Sequence, residues 1–225
     1  MKLSHENKVE KFYSHGSDKR GFQEGGFLSF GYWIDNIKHY HEAVEALINR
    51  MLQFEKPILY QKMDACKLAF EDNSFDYVIG IEGPAHFNTR EAFLRNSFRV
   101  LKPNGVLLLS DIMVDSIAAK KNRFNRMVSN FCAKHWYMPK ANWMSIPELK
   151  LQLERIGFRV DTAESVGNKV YPGFSSYNLK WKSVINAIRI RGYRIGLALT
   201  FISWLLGYVH RRGLIDYVFI RAVKV

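Results

Sequence analysis

Between Ile58 and Met113 stand three runs that decide the fold: ILYQKMDACKLAF (58–70), FDYVIGIEGPAHF (75–87) and FRVLKPNGVLLLSDIM (98–113). Each holds a short apolar stretch bounded by polar or turn residues, and a helical pattern from Thr89 to Leu101 separates the second stretch from the third. Short apolar strands alternating with a helix are the pattern of a parallel sheet with a crossover connection, which predicts α/β architecture.

Working outward, Asn88 or Thr89 can cap the crossover helix, and Phe93, Leu94, Phe98 and Val100 form its apolar side. Pro103-Asn104-Gly105 predicts a tight turn before a strand at Val106–Leu109, which Asp111 closes. Ser145-Ile146-Pro147-Glu148 has the form of a capping box and opens a helix to about Ile156. Gly157 ends it, and Phe158–Thr162 predicts a further strand. Upstream, Ala43, Val44, Leu47, Ile48 and Met51 stripe one side of a helix over Tyr40–Leu52. His39 and His41 are two residues apart, which would point them in different directions on a helix, so no shared metal is expected there.

Composition bounds the function. A chain of 225 residues, 48% hydrophobic and 14% aromatic, can bury one good core and reads as a single domain, 1–225. Cys66 and Cys132 supply neither a disulfide framework nor a zinc site, and Met1–Arg20 has no apolar core segment of a signal, so a cytoplasmic setting is expected. The formal charge of +12 suits an anionic membrane surface or a solvated basic surface. No basic-aromatic nucleic-acid motif accompanies it, and no nucleic-acid partner is expected.

The three runs resemble the second half of the catalytic domain of class I S-adenosylmethionine-dependent methyltransferases, in the branch acting on small molecules and lipids. The matches are Met63-Asp64-Ala65, Phe75-Asp76-Tyr77-Val78 and Leu101 to Gly105, in family order. The resemblance implies a Rossmann-like methyltransferase fold with a mostly parallel sheet, and S-adenosylmethionine as the cofactor. Asp64 and Ala65 stand where the family meets the adenine rim. Gly25 to Trp33 resembles a segment that folds over the cofactor site, which makes Tyr32 and Trp33 cofactor-contact candidates; the alternative is that the aromatics pin this segment to the core. The family's glycine-rich turn and its first two strands have no counterpart, since Gln53–Pro57 leads directly into Ile58. The fold is thus expected to be incomplete at its N-terminal half.

Glu82-Gly83-Pro84-Ala85-His86, just past the second apolar strand, is similar to the Glu-to-His segment of small-molecule C- and O-methyltransferases. Histidine titrates near neutrality and suits a base that takes a proton from an acceptor. His86 is therefore the candidate base and Glu82 its orienting partner or a cofactor contact; the plain alternative is a hydrogen-bonded loop histidine. Asp115–Ser145, basic and rich in aromatics, occupies the place of the family's substrate cap. Ile215–Val223 matches the family's last, antiparallel strand, after an insertion from Ser165 to Leu214. Within the insertion, Lys180–Arg194 is basic and Ile195–Val209 is uncharged. Fifteen residues make a helix of about 22 Å, short of the roughly 30 Å hydrocarbon core. The run predicts a buried helix or one docked on a membrane through 180–212. The functional expectation is methyl transfer to a small, apolar or lipid-like acceptor; the alternative is a non-catalytic, truncated relative.

Overall fold

The computed structural model describes residues 32–33, 37–39, 42–43, 45–47 and 63–225. The expected strand from Ile58 lies outside these up to Lys62, as do most of the Gly25–Trp33 segment, His41 and parts of the Tyr40–Leu52 helix. Of that helix, Glu42, Ala43 and Glu45–Leu47 are helical as expected.

In chain order the elements are β1 (Phe75–Ile81), α1 (Arg90–Val100), β2 (Leu101–Val114), α2 (Ser116–Lys120), α3 (Arg123–His135), α4 (Ile146–Ile156), β3 (Phe158–Ser165), α5 (Gly167–Asn178), α6 (Trp181–Arg191), α7 (Tyr193–Arg211) and β4 (Ile215–Lys224). Two compact units hold them. The first contains the described residues from Met63 to Val166 together with Leu214–Val225; the second contains the described residues from Tyr32 to Leu47 together with Gly167–Gly213.

The first unit is built on a sheet of order β1-β2-β4-β3. β1 pairs parallel with β2, while β4 is antiparallel to both β2 and β3. Three of these four strands therefore run one way, and the last one in the chain runs against them. Leu107, Leu109 and Met113 on β2 and Val218, Ile220 and Ala222 on β4 alternate along their strands, so they share one face of the sheet. Phe93 and Leu94 of α1 and Leu149 and Leu153 of α4 pack on that face, forming one buried cluster.

Local chemistry explains the boundaries. Thr89 caps α1 by accepting from the Ala92 N–H, and the Ser145–Glu148 capping box opens α4. Gly157 ends α4 at φ 118°, a left-handed conformation in which any side chain is strained, and a Cβ there would also meet the Phe98 ring at 2.8 Å. β2 starts earlier than the expected Val106. The Pro103-Asn104-Gly105 turn becomes an irregularity inside the strand, where pairing jumps from Phe75↔Leu101 to Tyr77↔Val106. Gly105 fits because a Cβ would lie 2.8 Å from the Lys102 carbonyl.

In the second unit the basic helix stops at Arg191, short of the expected Arg194, because Gly192 leaves helical geometry at φ 81°. The uncharged run lies within α7, and α7 is buried on one side only. Phe201 and Trp204 are 50% and 45% exposed, while Leu206 and Val209 are buried. No helix among the described residues is long and apolar enough to cross a membrane.

Candidate active site

The residues singled out in the sequence fall into both units. Asp64, Ala65, Glu82 and His86 belong to the first; Tyr32 and Trp33 belong to the second.

Glu82 to His86 follows the carboxyl end of β1, where open α/β sheets place their ligand contacts. The Glu82 N–H donates to the Ser110 carbonyl at 2.8 Å, which ties the loop to the matching end of β2. Glu82 adopts φ 52°, a left-handed conformation rare for a non-glycine residue, and backbone strain of that kind gathers at functional sites. The Tyr217 hydroxyl, on β4, donates to Glu82 Oε1 at 2.8 Å and sits 3.3 Å from Ser110 Oγ. Burial, with the adjacent Glu82 carboxylate adding to it, pushes the Tyr217 phenol well above its ordinary value. Tyr217 therefore keeps its proton and remains a donor to Glu82.

Pro84–His86 form one turn of 3-10 helix, and the His86 ring is 5% exposed. His86 Nδ1 lies 2.7 Å from the Trp136 carbonyl, on the segment after α3. A carbonyl only accepts, so Nδ1 carries the proton and, in the neutral ring, Nε2 holds the lone pair. The Trp136 carbonyl thus orients the His86 ring.

Beneath the loop lies a buried polar cluster that the sequence reading did not single out. Asp111 Oδ1 accepts the Ala85 N–H at 3.1 Å, and Oδ2 accepts from Arg90 Nε at 2.8 Å. Arg90 also donates from Nη1 to the Asn142 carbonyl at 2.6 Å and from Nη2 to the Ile112 carbonyl at 2.9 Å. The Asn142 amide in turn donates to the carbonyls of Ala85 and Phe87 at 3.0 and 2.8 Å. Arg90 and Asp111 have no solvent exposure. Burial pushes the Asp111 carboxyl above its ordinary value, against the pull of the Arg90 guanidinium and the Ala85 N–H. This cluster holds both ends of the His86 turn. Closing the apolar run Val106–Leu109 is the only signal by which Asp111 was detectable in the sequence.

Met63 and Asp64 are not in a strand, and Asp64-Ala65-Cys66 form a turn. The Asp64 carboxylate accepts the Cys66 N–H through Oδ1 at 2.8 Å. Cys66 Sγ donates to the Thr89 carbonyl at 3.5 Å, and Asn96 Nδ2 donates to the Cys66 carbonyl at 2.7 Å, so the turn rests on the first half of α1. Asp64 Oδ2 and the Ala65 N–H have no protein partner among the described residues. An acceptor next to a donor is the complement of the Watson–Crick edge of adenine, which offers an amine and a ring nitrogen. These residues fit the adenine end of S-adenosylmethionine. Neither Cys66 nor Cys132 is in a disulfide; burial pushes the Cys132 thiol up to about 12, which leaves it inert.

In the second unit, Tyr32 is buried and donates its N–H to the Ala43 carbonyl at 2.6 Å. The Trp33 N–H donates to the Lys169 carbonyl at 2.8 Å, and its ring lies 5.6 Å from that of Tyr177 and directly over Gly173. Here these aromatics pin the segment to α5, the alternative weighed for them in the sequence. Of the segment expected to form a cap, Phe124 and Phe131 of α3 are exposed. Among the described residues no cluster of histidine, cysteine or carboxylate side chains could hold a metal ion.

Comparison with known proteins adds the following. A family model described as a methyltransferase domain matches residues 34–109. The O-methyltransferase resE of Aspergillus sclerotiorum is 29% identical over 131 residues, 58% of this chain and 47% of that protein. A sterol 24-C-methyltransferase of Yarrowia lipolytica is 28% identical over 162 residues, 71% of this chain and 40% of that protein. The chain thus spans less than half the length of these relatives. Among solved structures, Haemonchus contortus phosphoethanolamine N-methyltransferase 2, in complex with phosphomonomethylethanolamine and S-adenosylhomocysteine, superposes with a TM-score of 0.58 at 18% identity, covering 72% of this chain and 36% of that one. The cyclopropane synthase MmaA2 of Mycobacterium tuberculosis superposes at 0.56 and 18% identity, covering 68% and 56%.

Proposed function

We propose, from the methyltransferase-domain match over residues 34–109, that the chain is a class I S-adenosylmethionine-dependent methyltransferase that transfers a methyl group to a small, apolar or lipid-like acceptor. S-Adenosylmethionine supplies an electrophilic methyl on a sulfonium when bound. On this reading Asp64 and Ala65 would hold the adenine end of the cofactor, and Glu82 would be a further contact to it. The base is His86, taking a proton at Nε2 while the Trp136 carbonyl fixes the ring through Nδ1. Tyr217 holds the Glu82 carboxylate in one position. The single observation that carries the reading is the His86 turn, which the Arg90–Asp111–Asn142 cluster immobilises at the ends of two parallel strands. Orientation of this kind is the main thing methyl transfer asks of a protein.

A relative named for sterols supports an apolar acceptor class. A second reading, a non-catalytic relative, is favoured by one observation: the sequence passes from Leu52 through Gln53–Pro57 to Ile58 without a glycine-rich turn.

Calorimetric titration with S-adenosylhomocysteine separates the two readings. Micromolar binding is expected for the enzyme, and no heat up to millimolar ligand supports the relic. In a binding-competent protein, His86→Ala should lower turnover by about a hundredfold, within the range ascribed to a general base, and leave S-adenosylhomocysteine affinity unchanged. Unchanged turnover would remove His86 from the chemistry.

A further inference from the structure

α7 presents a row of large side chains to water. Arg194, Leu197, Phe201, Trp204, Tyr208 and Arg211 follow one another at alternating steps of three and four, so they share one face of the helix. Leu197, Phe201 and Trp204 are exposed, as are the arginines at both ends, and Tyr208 is half-buried. The aromatic rings stack along the row: Phe201 to Trp204 at 5.8 Å, Trp204 to Tyr208 at 5.6 Å and nearly parallel. The side of α7 that packs inside the unit carries Gly196, Ser203 and Gly207 beside Leu205, Leu206 and Val209. A Cβ on Gly196 would collide with Ile188 of α6, and one on Gly207 would collide with Ser175 of α5, each at 2.7 Å. The helix therefore buries aliphatic and small residues on one side and still turns Phe201 and Trp204 outward, where burial alone would select polar side chains.

Charge says what such a face meets. From Gly167 to Gly213 the sequence has eight lysines and arginines and not one aspartate or glutamate. A surface of a single sign around an aromatic ridge is not that of an ordinary solvated helix, which mixes both signs. We infer that α7 lies flat on an anionic lipid surface, with Leu197, Phe201 and Trp204 entering the headgroup boundary and Arg194 and Arg211 meeting lipid phosphates. At 19 residues α7 is about 28 Å long, with arginines near both ends, which suits lying on a bilayer and not crossing it. This docking is independent of methyl transfer and needs no bound cofactor.

Sedimentation of the full chain with phosphatidylcholine vesicles, with and without phosphatidylserine, tests it. Binding to the anionic vesicles is expected, with little binding to the neutral ones and a fall as salt rises. Phe201→Ser with Trp204→Ser should weaken the binding by about tenfold or more, and Arg194→Gln with Arg211→Gln by a similar factor. Circular dichroism melts identical to the parent would show that both variants fold. Equal recovery in the supernatant with every lipid would overturn the proposal. So would concentration-dependent self-association that the Phe201 and Trp204 changes abolish, which would give the face to a second copy. Retention on single-stranded DNA without vesicle binding would overturn it as well, in favour of a nucleic acid.

Discussion

Removing the Arg90 guanidinium would strand the Asp111 carboxylate in a place with no water to solvate it. The pair is closed on all sides: Asp111 is held by the Ala85 N–H and Arg90 Nε, and Arg90 spends its other donors on the carbonyls of Ile112 and Asn142. Breaking a buried ion pair from one side costs about 3–5 kcal/mol, more than most single changes in a core. Arg90→Met should therefore lower the unfolding free energy by about that amount in urea melts, and Arg90→Met with Asp111→Leu should recover part of it. A single variant that loses less than about 1 kcal/mol would show that the cluster is not what holds the His86 turn. None of this was legible in the sequence. Arg90 opens a helix, where an arginine reads as solvated, and its partners stand 21, 22 and 52 positions away. Tyr217 was hidden in the same way inside IDYVFIRAV, where an aromatic fits any strand.

At the scale of an element, α4 shows what sequence does encode well. Its start and stop are local contacts: the Ser145 N–H donates to the Glu148 carboxylate at 2.7 Å, Ser116 Oγ donates to the same oxygen at 2.8 Å, and Gly157 supplies the left-handed end. The Ser145 N–H, then the Ser116 hydroxyl, hold the Glu148 carboxyl below the ordinary glutamate range. A depressed acid stabilises the fold above its ordinary pKa, and that contribution disappears as pH falls through the folded-state value. Glu148 is exposed, so solvent screening keeps the effect near 0.5 kcal/mol. Glu148→Gln should accordingly cost about that much at neutral pH, with the difference from the parent shrinking toward zero in acid. A gap that stays constant with pH would mean that the charge contributes nothing. Thr89 at the head of α1 was readable for the same reason as Ser145, because a cap is settled within one turn. The insertion was read less well. An uncharged run announces burial, but which side of α7 faces water depends on where Gly196 and Gly207 meet α6 and α5.

Across the whole molecule, the order of strands in the sheet differs from their order in the chain. β4 follows β3 by three helices, yet it lies between β2 and β3 and pairs with both. β2 reaches full pairing on that side, and β3 gains its β4 partner, only when Ile215–Lys224 arrives. During synthesis, α5, α6 and α7 must all emerge while a gap stands open in the middle of the sheet. At about 5–20 residues per second that exposure lasts seconds, long enough for chaperones or proteases to engage. Ribosome-stalled chains ending at Gly213 should be cut rapidly within β2 by an added protease. Chains carried far enough for β4 to leave the exit tunnel should resist, and equal resistance in both would mean that the sheet settles without its central strand.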